Sequence, residues 1–420
     1  MPRFVILLLL CVPAISFAQK TTTEITVVDL KARLNILTSD SLGGRRTGEI
    51  GMEKTATYIA NEFKRIGLEV IDPSQTFYQR YEFSERQFDS TKTTLTKGVN
   101  VIGFLKGNDK TLSREVVIIG AHFDHLGMGG RNALDTVKAF HRGADDNASG
   151  TAGVLELAEY FVKHRSELKR SLLFMAFSGE EEGLFGSQHY VKAPLFSFEH
   201  TQAMINMDMI GRLKDSILII EGIGTSPTWD SIFKTITKQK QPFVIRYKQD
   251  GEGPSDHSSF YRKHLPVLFF FTGLHKDYHR ASDTKDKLDY KGEANILKLV
   301  AEVVKHTANT PTKLPFTVVP VDTTKKSTSF KVYVGGVPDY GYDGEGLKIS
   351  DVTPGSPAAK AGLLAEDIIV KFGNLQIKNI YDYTNALSSH KPGDKITALV
   401  KRGKNTIEIP IELGSRAGMH

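Results

Sequence analysis

The sequence lacks an apolar run of the length that spans a bilayer, which is about 20 residues. Its clearest apolar run, Phe4 to Val12, follows Arg3 and precedes the small-residue pattern Ser16-Phe17-Ala18. This order is typical of a signal peptide over residues 1–18, with the mature chain starting at Gln19. We therefore expect an exported protein, periplasmic or extracellular, without stable membrane insertion. A retained membrane anchor is the alternative.

Cysteine is almost absent, since Cys11 is the only one among 420 residues. Because Cys11 lies inside the expected signal peptide, the mature chain would have neither a disulfide nor a thiolate ligand. Any metal ion must then be held by histidine and carboxylate side chains.

Strong clustering of one charge is also lacking, although 54 Lys and Arg residues outnumber 48 Asp and Glu residues and give a net charge of +6. Because the basic residues are scattered along the chain, we predict no nucleic-acid partner. With 40% hydrophobic and 24% charged residues, the composition excludes disordered and fibrous classes. The length allows two or three domains.

Residues Asp29 to Leu68 are predicted to form two helices joined by the turn Leu42 to Gly48. Gly67 follows the second helix as a stop signal. Its core face is predicted from residues at helical spacing: Ala56, Ile59, Ala60 and Phe63.

From about residue 99, short apolar runs alternate with amphipathic segments such as Thr151 to His164. Runs of this kind suit strands that are buried on both faces of a largely parallel sheet. They predict a three-layer α/β domain over residues 19–310, with a mostly parallel central sheet. The runs are Val99 to Leu105, Val116 to Ala121, Leu172 to Phe177, Ala203 to Met207, Ile217 to Ile220 and Val267 to Phe271.

The composition changes after this domain. Residues 311–328 are rich in Pro, Thr and Lys without a sustained period, which indicates a linker. Residues 329–415 contain short strand-like runs with glycine-rich turns, such as Lys401 to Lys404, and predict a separate small α+β domain.

Acidic and imidazole residues follow the ends of several predicted strands, and in open α/β sheets the ligand crevice lies outside the carboxyl ends of the strands. The second run leads into His122-Phe123-Asp124. A carboxylate at this spacing can orient the imidazole for metal binding, and a purely structural pair is the alternative. Further along, Asp145 and Asp146 precede a predicted helix. They could cap that helix, but adjacent acids ahead of small residues also suit a cation, and we choose Asp146 as a bridging ligand.

Glu180 and Glu181 follow the run that ends at Phe177. They could be the solvated start of a helix, or one could bind a metal while its neighbour acts as a general base. Asp208 interrupts an apolar run. Because burying an unpaired carboxylate costs several kcal/mol, Asp208 needs a cation or hydrogen-bond donors.

Two later segments add polar groups. Tyr278 and His279 follow the Phe-rich run and supply a phenol beside a second imidazole. Asp256 and His257 lie in Gly253 to Phe260, which predicts either a substrate contact or a turn with a helix cap. We expect three other histidines at the surface or behind the ligands, with metal ligation as the alternative: His125, His141 and His275.

The ordered series of motifs resembles the co-catalytic zinc aminopeptidases of the aminopeptidase Y and bacterial leucyl aminopeptidase type, relatives of glutamate carboxypeptidase II and glutaminyl cyclase. The resemblance covers roughly Asp29 to Ala308, without the insertion that carries a protease-associated domain in some relatives. The motifs are His122-x-Asp124, Gly-Ala-Asp-Asp146-Asn-Ala-Ser-Gly, Glu180-Glu181, Asn-Met-Asp208 and Tyr278-His279.

The resemblance implies two Zn²⁺ ions that hydrolyse the first peptide bond of peptide substrates. One ion would be bound by His122 and Asp208, the other by Glu181 and His279, and Asp146 would bridge them. It also implies Glu180 as the general base for a zinc-bound hydroxide, Tyr278 as a donor to the oxyanion, Asp124 as the partner of His122, and a cis peptide bond between Asp146 and Asn147.

Residues Gly346 to Leu363 resemble a PDZ domain of the bacterial protease type. Ser356 is suited to cap a short helix, Pro357 to start it and Gly362 to end it. The resemblance implies a peptide ligand whose carboxy terminus binds at Gly335-Gly336-Val337. A structural appendage with a closed groove is the alternative.

Other activities remain open. A carboxypeptidase or deblocking peptidase could use the same metal core. A glutaminyl cyclase is disfavoured because the resemblance implies two metals where that enzyme uses one. A catalytically inactive peptide-binding protein is disfavoured by the intact series of motifs.

Overall fold

The computed structural model describes residues 24–86, 93–129, 132–135, 138–213, 216–238, 240–319, 332–339, 342, 344–378 and 380–415. The expected signal peptide, Cys11 and the second half of the predicted linker lie outside these residues. Within the part described, no helix combines the length and apolar character that a membrane crossing requires.

The short apolar runs form the centre of an eight-stranded sheet with the strand order β1-β2-β4-β3-β5-β8-β6-β7. The strands are β1 (Tyr78–Arg86), β2 (Thr93–Leu105), β3 (Val116–His122), β4 (Ser171–Phe177), β5 (Thr201–Met207), β6 (Ile217–Glu221), β7 (Val244–Tyr247) and β8 (Val267–Phe271).

All six predicted strands are present, and the central four, β4-β3-β5-β8, are parallel. The sheet as a whole is mixed, because β1, β2 and β6 pair antiparallel with their neighbours β2, β4 and β8. β3, β4 and β5 are buried along their whole length, as expected for strands covered on both faces.

Helices cover both faces of the sheet, which confirms the predicted three-layer α/β fold. Alternate residues of β3 separate the faces: Val117 and Ile119 pack with α1, α2, α3, α5 and α7, whereas Val116 and Ile118 pack with α4 and α6. The helices are α1 (Val27–Leu37), α2 (Ile50–Ile66), α3 (Gly150–Lys163), α4 (Phe185–Lys192), α5 (Thr228–Ile236), α6 (His257–Tyr261) and α7 (Tyr290–Asn309).

A buried guanidinium ties the first three helices together. Arg33 on α1 is 2% exposed and donates to Glu156 at 3.0 Å and to Glu159 at 2.6 Å, both on α3. It also donates to Glu62 on α2 at 2.8 Å. Gly67 ends α2 in the left-handed region at φ 94°, as the sequence predicted.

The described part of the linker lies against the α/β domain. The backbone N–H of Thr317 donates to the carbonyl of Thr225, and that of Val319 donates to the hydroxyl of Tyr261. Residues 311–319 therefore belong structurally to the first domain.

The carboxy-terminal domain has its own hydrophobic core. Its sheet has the order β10-β11-β12-β14-β15, with β13 paired to β12, and β9 pairs with β16. The elements are β9 (Val332–Tyr333), β10 (Gly336–Pro338), β11 (Leu347–Val352), α8 (Pro357–Ala361), β12 (Ile368–Phe372), β13 (Leu375–Gln376), α9 (Ile380–Ser388), β14 (Lys395–Arg402), β15 (Asn405–Glu412) and β16 (Gly414–Ser415).

The predicted boundaries of α8 are confirmed. The Ser356 hydroxyl accepts from the backbone N–H of Ala359, Pro357 is the first helical residue, and Gly362 ends the helix at φ 83°. The predicted carboxylate-binding segment lies at the start of β10, which is an edge strand of its sheet.

Candidate metal centre

The parallel strands bring the predicted ligands to one edge of the sheet. His122 is the last residue of β3, Glu180 and Glu181 follow the end of β4, and Asp208 directly follows β5. Because these three strands are neighbours and parallel, their carboxyl ends lie side by side.

Asp146 lies in the turn before α3, and its peptide bond to Asn147 is cis, as the resemblance implied. The Asn147 side chain fastens this turn to the end of β5: its amide donates to the carbonyl of Met207 at 3.0 Å, and its oxygen accepts from the backbone N–H of Met209 at 3.2 Å. From the other side, Asp283 accepts a hydrogen bond from the backbone N–H of Asp146.

One group of ligand atoms consists of His122, Asp146 and Asp208. His122 Nε2 lies 3.5 Å from Asp146 Oδ1 and 3.3 Å from Asp208 Oδ1. All three side chains are buried.

The second group faces the other oxygen of Asp146. His279 Nε2 lies 3.2 Å from Asp146 Oδ2 and 3.1 Å from Glu181 Oε2. His125 joins this side of the site, because its Nδ1 lies 2.8 Å from Glu181 Oε1 and 3.8 Å from Asp146 Oδ2. Asp146 thus directs one carboxylate oxygen into each group.

These spacings fit metal ions. Two ligands bound tetrahedrally to zinc at about 2.0–2.1 Å lie about 3.3 Å apart, which is longer than a charge-assisted hydrogen bond. Several ligand atoms are buried without a hydrogen-bond partner among the described residues, namely His122 Nε2, Asp146 Oδ2 and Asp208 Oδ1. Buried polar atoms without partners are rare, so the donor set suits a pair of cations that share Asp146.

The imidazoles are oriented from behind. His279 Nδ1 lies 2.7 Å from the carbonyl oxygen of Asn132, so the ring donates there and presents Nε2 to the second group. His122 Nδ1 lies 3.5 Å from Asp124 Oδ1. The other Asp124 oxygen accepts from the hydroxyl of Thr47 at 3.0 Å.

The charges in the two groups are strongly coupled. Burial raises the pKa of Asp146, and the charge of Glu181 adds to this effect. Although burial opposes its charging, the carboxylates of Asp208 and Glu180 raise the pKa of His122 well above its usual range. Protons and cations compete for such ligands, so a bound metal would take the place of these protons.

Comparison with known proteins identifies the domains. Residues 100–304 match the model of peptidase family M28, and residues 317–413 match that of the PDZ domain. The chain carries an M28 peptidase domain followed by a PDZ domain.

A curated relative of the M28 domain is a probable leucine aminopeptidase of Trichophyton verrucosum (strain HKI 0517), which is 29% identical over 269 residues. The alignment covers 61% of this chain and 65% of the relative. The chain therefore spans slightly less than two thirds of the length of that relative.

Solved structures share the fold of the M28 domain. A zinc aminopeptidase from Bacillus subtilis has a TM-score of 0.55 at 16% identity and covers 70% of this chain and 99% of its own. The glutaminyl cyclase of Bacteroides thetaiotaomicron has a TM-score of 0.54 at 18% identity and covers 67% of this chain and 98% of its own. At these identities the likeness concerns the fold alone.

The two predicted catalytic residues of the M28 domain lie beside the ligands. Glu180 Oε2 is 4.0 Å from His122 Nε2. Burial raises the pKa of Glu180 well above its usual range, and the carboxylates of Glu181 and Asp208 add to this shift. The ring of Tyr278 stacks on that of His279 at a centroid distance of 3.8 Å. Its role as an oxyanion donor stays a prediction.

The predicted substrate-contact residues, Asp256 and His257, are both fully buried where α6 begins. Asp256 makes no side-chain cap to this helix, and burial raises its pKa to about 7. The His257 ring stacks on Phe269 of β8 at 4.4 Å, and burial lowers its pKa to about 3. His257 therefore packs as a neutral side chain within the M28 domain.

The other three histidines each lie beside a carboxylate in or near the site. His125 contacts Glu181, His141 Nε2 lies 3.0 Å from Asp135, and His275 Nε2 lies 3.1 Å from Asp145. His125 Nδ1 forms a candidate metal-binding group with Asp146 and Glu181, so the structure places it among the ligand atoms and not behind them, whereas His141 and His275 lie outside both groups.

Sequence reasoning missed several contributors to the site of the M28 domain, among them Asn132 and Asp283. Both act through backbone contacts, on His279 and on Asp146 respectively. Neither lies in a motif with ligand spacing. Asp283 follows His279 closely in the chain, and this proximity was the one feature of the sequence that could have indicated its place near the site.

Proposed function

We propose that the chain is an exported, zinc-dependent aminopeptidase that removes the amino-terminal residue from peptides. The observation that carries the proposal is the position of Asp146, whose two oxygens face two separate groups of ligand atoms. Paired metal groups sharing one carboxylate suit hydrolysis of a peptide bond. The M28 domain match and the aminopeptidase relative support this class of reaction.

His122 and Asp208 would hold one zinc ion, Glu181 and His279 the other, and Asp146 both. Bound zinc ions polarise a carbonyl group and lower the pKa of a water molecule towards about 7. The protein's own residues orient the metal ligands and transfer the proton. The Asn132 carbonyl keeps His279 in the tautomer that presents Nε2 to the site, and Asp124, 3.5 Å from His122 Nδ1, would orient His122 in the same way.

Glu180 would act as the general base. Its carboxylate borders the first ligand group without belonging to either group, so it is free to take a proton from the attacking water. It would return that proton to the leaving amine. Its raised pKa, caused first by burial, suits a group that must both accept and release a proton. Tyr278 would donate a hydrogen bond to the oxygen of the tetrahedral intermediate.

The PDZ domain is proposed to bind the carboxy terminus of a peptide along β10. Among the described residues this strand is at the edge of its sheet, which is the position where an added strand can pair. Periplasmic or extracellular location is proposed from the signal-peptide pattern of residues 1–18.

The activity is tested with a panel of aminoacyl anilides and a matched panel of amino-terminally blocked peptides, with and without a chelator. We expect cleavage of the free-amine substrates alone, abolished by the chelator and restored by zinc. Cleavage of the blocked peptides alone would replace the aminopeptidase assignment with the carboxypeptidase or deblocking alternative.

Two variants separate the roles of metal holding and proton transfer. Glu180→Ala is expected to keep bound zinc and lose most turnover, by about 10²- to 10⁴-fold, whereas Asp146→Ala is expected to lose both. Metal analysis by plasma mass spectrometry reports the first property and anilide hydrolysis the second. Full zinc content in the Asp146 variant would refute its bridging role.

A further inference from the structure

An ion pair joins the two domains close in the chain to a predicted ligand. Asp351, on β11 of the PDZ domain, forms an ion pair with the guanidinium of Arg280. Arg280 is the residue that follows the predicted ligand His279. The two side chains are 29% and 24% exposed, so the pair is partly shielded from water and is stronger than a pair on an open surface.

Arg280 makes a second contact inside the M28 domain. Its other terminal nitrogen donates to the carbonyl of Leu134 at 2.5 Å. The backbone N–H of Leu134 in turn donates to the carbonyl of His279 at 2.9 Å, and that of Ala281 donates to Asp135 at 2.7 Å. Residues 132–135 and 279–281 are thus held together, with the Arg280 side chain spanning both.

The segment 132–135 carries Asn132, which touches two ligands of the second group, His279 and Glu181. Its carbonyl accepts from His279 Nδ1 at 2.7 Å, and its side-chain amide donates to the carbonyl of Glu181 at 2.6 Å. Residues of this kind behind metal ligands typically change metal affinity or activity by about 10- to 100-fold.

The backbone of His279 depends on these contacts. It lies in the left-handed region at φ 53°, which is disfavoured for a residue with a side chain. Such a conformation persists only where the surroundings hold it. Leu134 and Arg280 supply two of the neighbouring contacts.

We propose that Arg280 is a positioning residue through which the PDZ domain supports the second metal group of the M28 domain. The Asp351 carboxylate fixes the guanidinium, the guanidinium fixes Leu134, and Asn132 on the same segment orients His279 and Glu181. The proposal rests on the proposed metal-dependent function. If Arg280 has this role, the PDZ domain contributes to the catalytic unit and can also bind a peptide.

The test uses the full chain and measures zinc affinity by chelator competition in the absence of substrate, followed by kcat and KM. Arg280→Gln is expected to weaken the binding of one of the two zinc ions about tenfold and to lower kcat by a similar factor, with KM changed less. Asp351→Asn is expected to weaken the same zinc about threefold. In the double variant the two effects should not add, because both act through one contact.

The matched control is Glu366→Gln, which removes another ion pair of the PDZ domain, 2.9 Å from Lys348 with Glu366 73% exposed. It is expected to leave zinc affinity unchanged. Arg280→Lys should restore part of the affinity, since one ammonium can reach one of the two partners but lacks the planar fork that reaches both. If Arg280→Gln proves unfolded by circular dichroism, Asp351→Asn decides the question alone.

Zinc affinity in Asp351→Asn equal to that in Glu366→Gln would overturn the proposal. The metal measurement needs no turnover, so it is separable from the proposed activity. Loss of zinc affinity in a chain that hydrolyses no anilide would retain the positioning role and reject the aminopeptidase.

Discussion

Asp283 Oδ2 accepts a hydrogen bond from the backbone N–H of Asp146 at 3.1 Å. The same oxygen accepts from the backbone N–H of Asp145 at 2.9 Å. One carboxylate from near the end of the M28 domain therefore fixes the turn that presents Asp146, the proposed bridging ligand, to both groups of ligand atoms.

Replacing Asp283 by Ala should lower zinc affinity and kcat by about 10- to 100-fold, because the turn carrying Asp146 loses both acceptor contacts. Asp283→Asn, which keeps one acceptor oxygen, should fall between the wild type and the Ala variant. The measurements are chelator competition and anilide hydrolysis. Asp286→Ala, an exposed change nearby, serves as the control, and an equal effect there would contradict the role of Asp283.

Thr47 links Asp124, the partner of His122, to the end of β4. Its hydroxyl donates to Asp124 at 3.0 Å and accepts from the backbone N–H of Gly179 at 2.9 Å. Thr47→Val keeps the shape and removes both bonds, so we expect about a tenfold loss of kcat. Thr57→Val, an exposed helix position, should leave the steady-state rate constants unchanged. A wild-type kcat in Thr47→Val would show that Asp124 is held in place without this hydroxyl.

Arg33 neutralises two buried carboxylates of α3, so its loss should be costly. Arg33→Met removes the charged partner of Glu156 and leaves Glu159 paired with Arg65, and we expect a decrease of about 3–5 kcal/mol in the free energy of unfolding. Urea titration followed by circular dichroism measures it. Arg142→Gln, which breaks the exposed pair with Asp40 at 2.9 Å, should change stability by less than about 1 kcal/mol. Similar losses in both variants would argue against a special role for the buried cluster.

Glu221 gives the stability of the fold a pH dependence of known sign. Burial raises its pKa to about 7 despite the nearby Lys248, whereas the unfolded chain has a Glu pKa of about 4.3. Below the pKa of Glu221 in the unfolded chain, the carboxyl group is protonated in both states and does not change the free energy of unfolding. As pH rises from there to 7 the unfolded state loses its proton first, so the folded state is progressively destabilised, by about 3–4 kcal/mol in total.

Glu221→Gln removes this dependence. The variant should be more stable than the wild type above pH 7 and equal to it near pH 4, as measured by urea unfolding across that range. A stability difference that stays constant with pH would show that Glu221 has the same pKa in both states.

The strand ends were predictable because the relevant signals are local. Each buried run shows in the sequence as consecutive apolar residues, and the polar residues that follow, such as His122 and Asp208, must lie at the carboxyl end of a strand. The parallel arrangement then brings them together whatever the exact strand order. The helix signals at Gly67 and Ser356 were equally local, and the structure confirms both.

The edge strands were not predicted, because their patterns are weak. β7 is largely exposed, so it shows no apolar run. β1 buries Tyr81 and Phe83 between polar neighbours, a pattern that a loop can share. The antiparallel direction of β6 also lay beyond the sequence, since a short apolar run does not specify its neighbour or its direction.

The contacts that orient the ligands were the least predictable part of the site. Asn132 reaches His279 across 147 positions, and Asp283 reaches Asp146 across 137. No spacing rule connects residues so far apart, and backbone acceptors such as the Asn132 carbonyl leave no trace in residue type. His125 lies beside Glu181, and a histidine three positions after His122 does not reveal which way its ring points.

The five proposed ligands come from separate turns between His122 and His279, so no fragment that ends before the last of them contains both metal groups. Most of the M28 domain must therefore be synthesised before the second zinc ion can bind. Metal uptake, followed during synthesis or refolding, would then report when the α/β layers pack together. Bound zinc would stabilise fully folded molecules relative to partly folded ones.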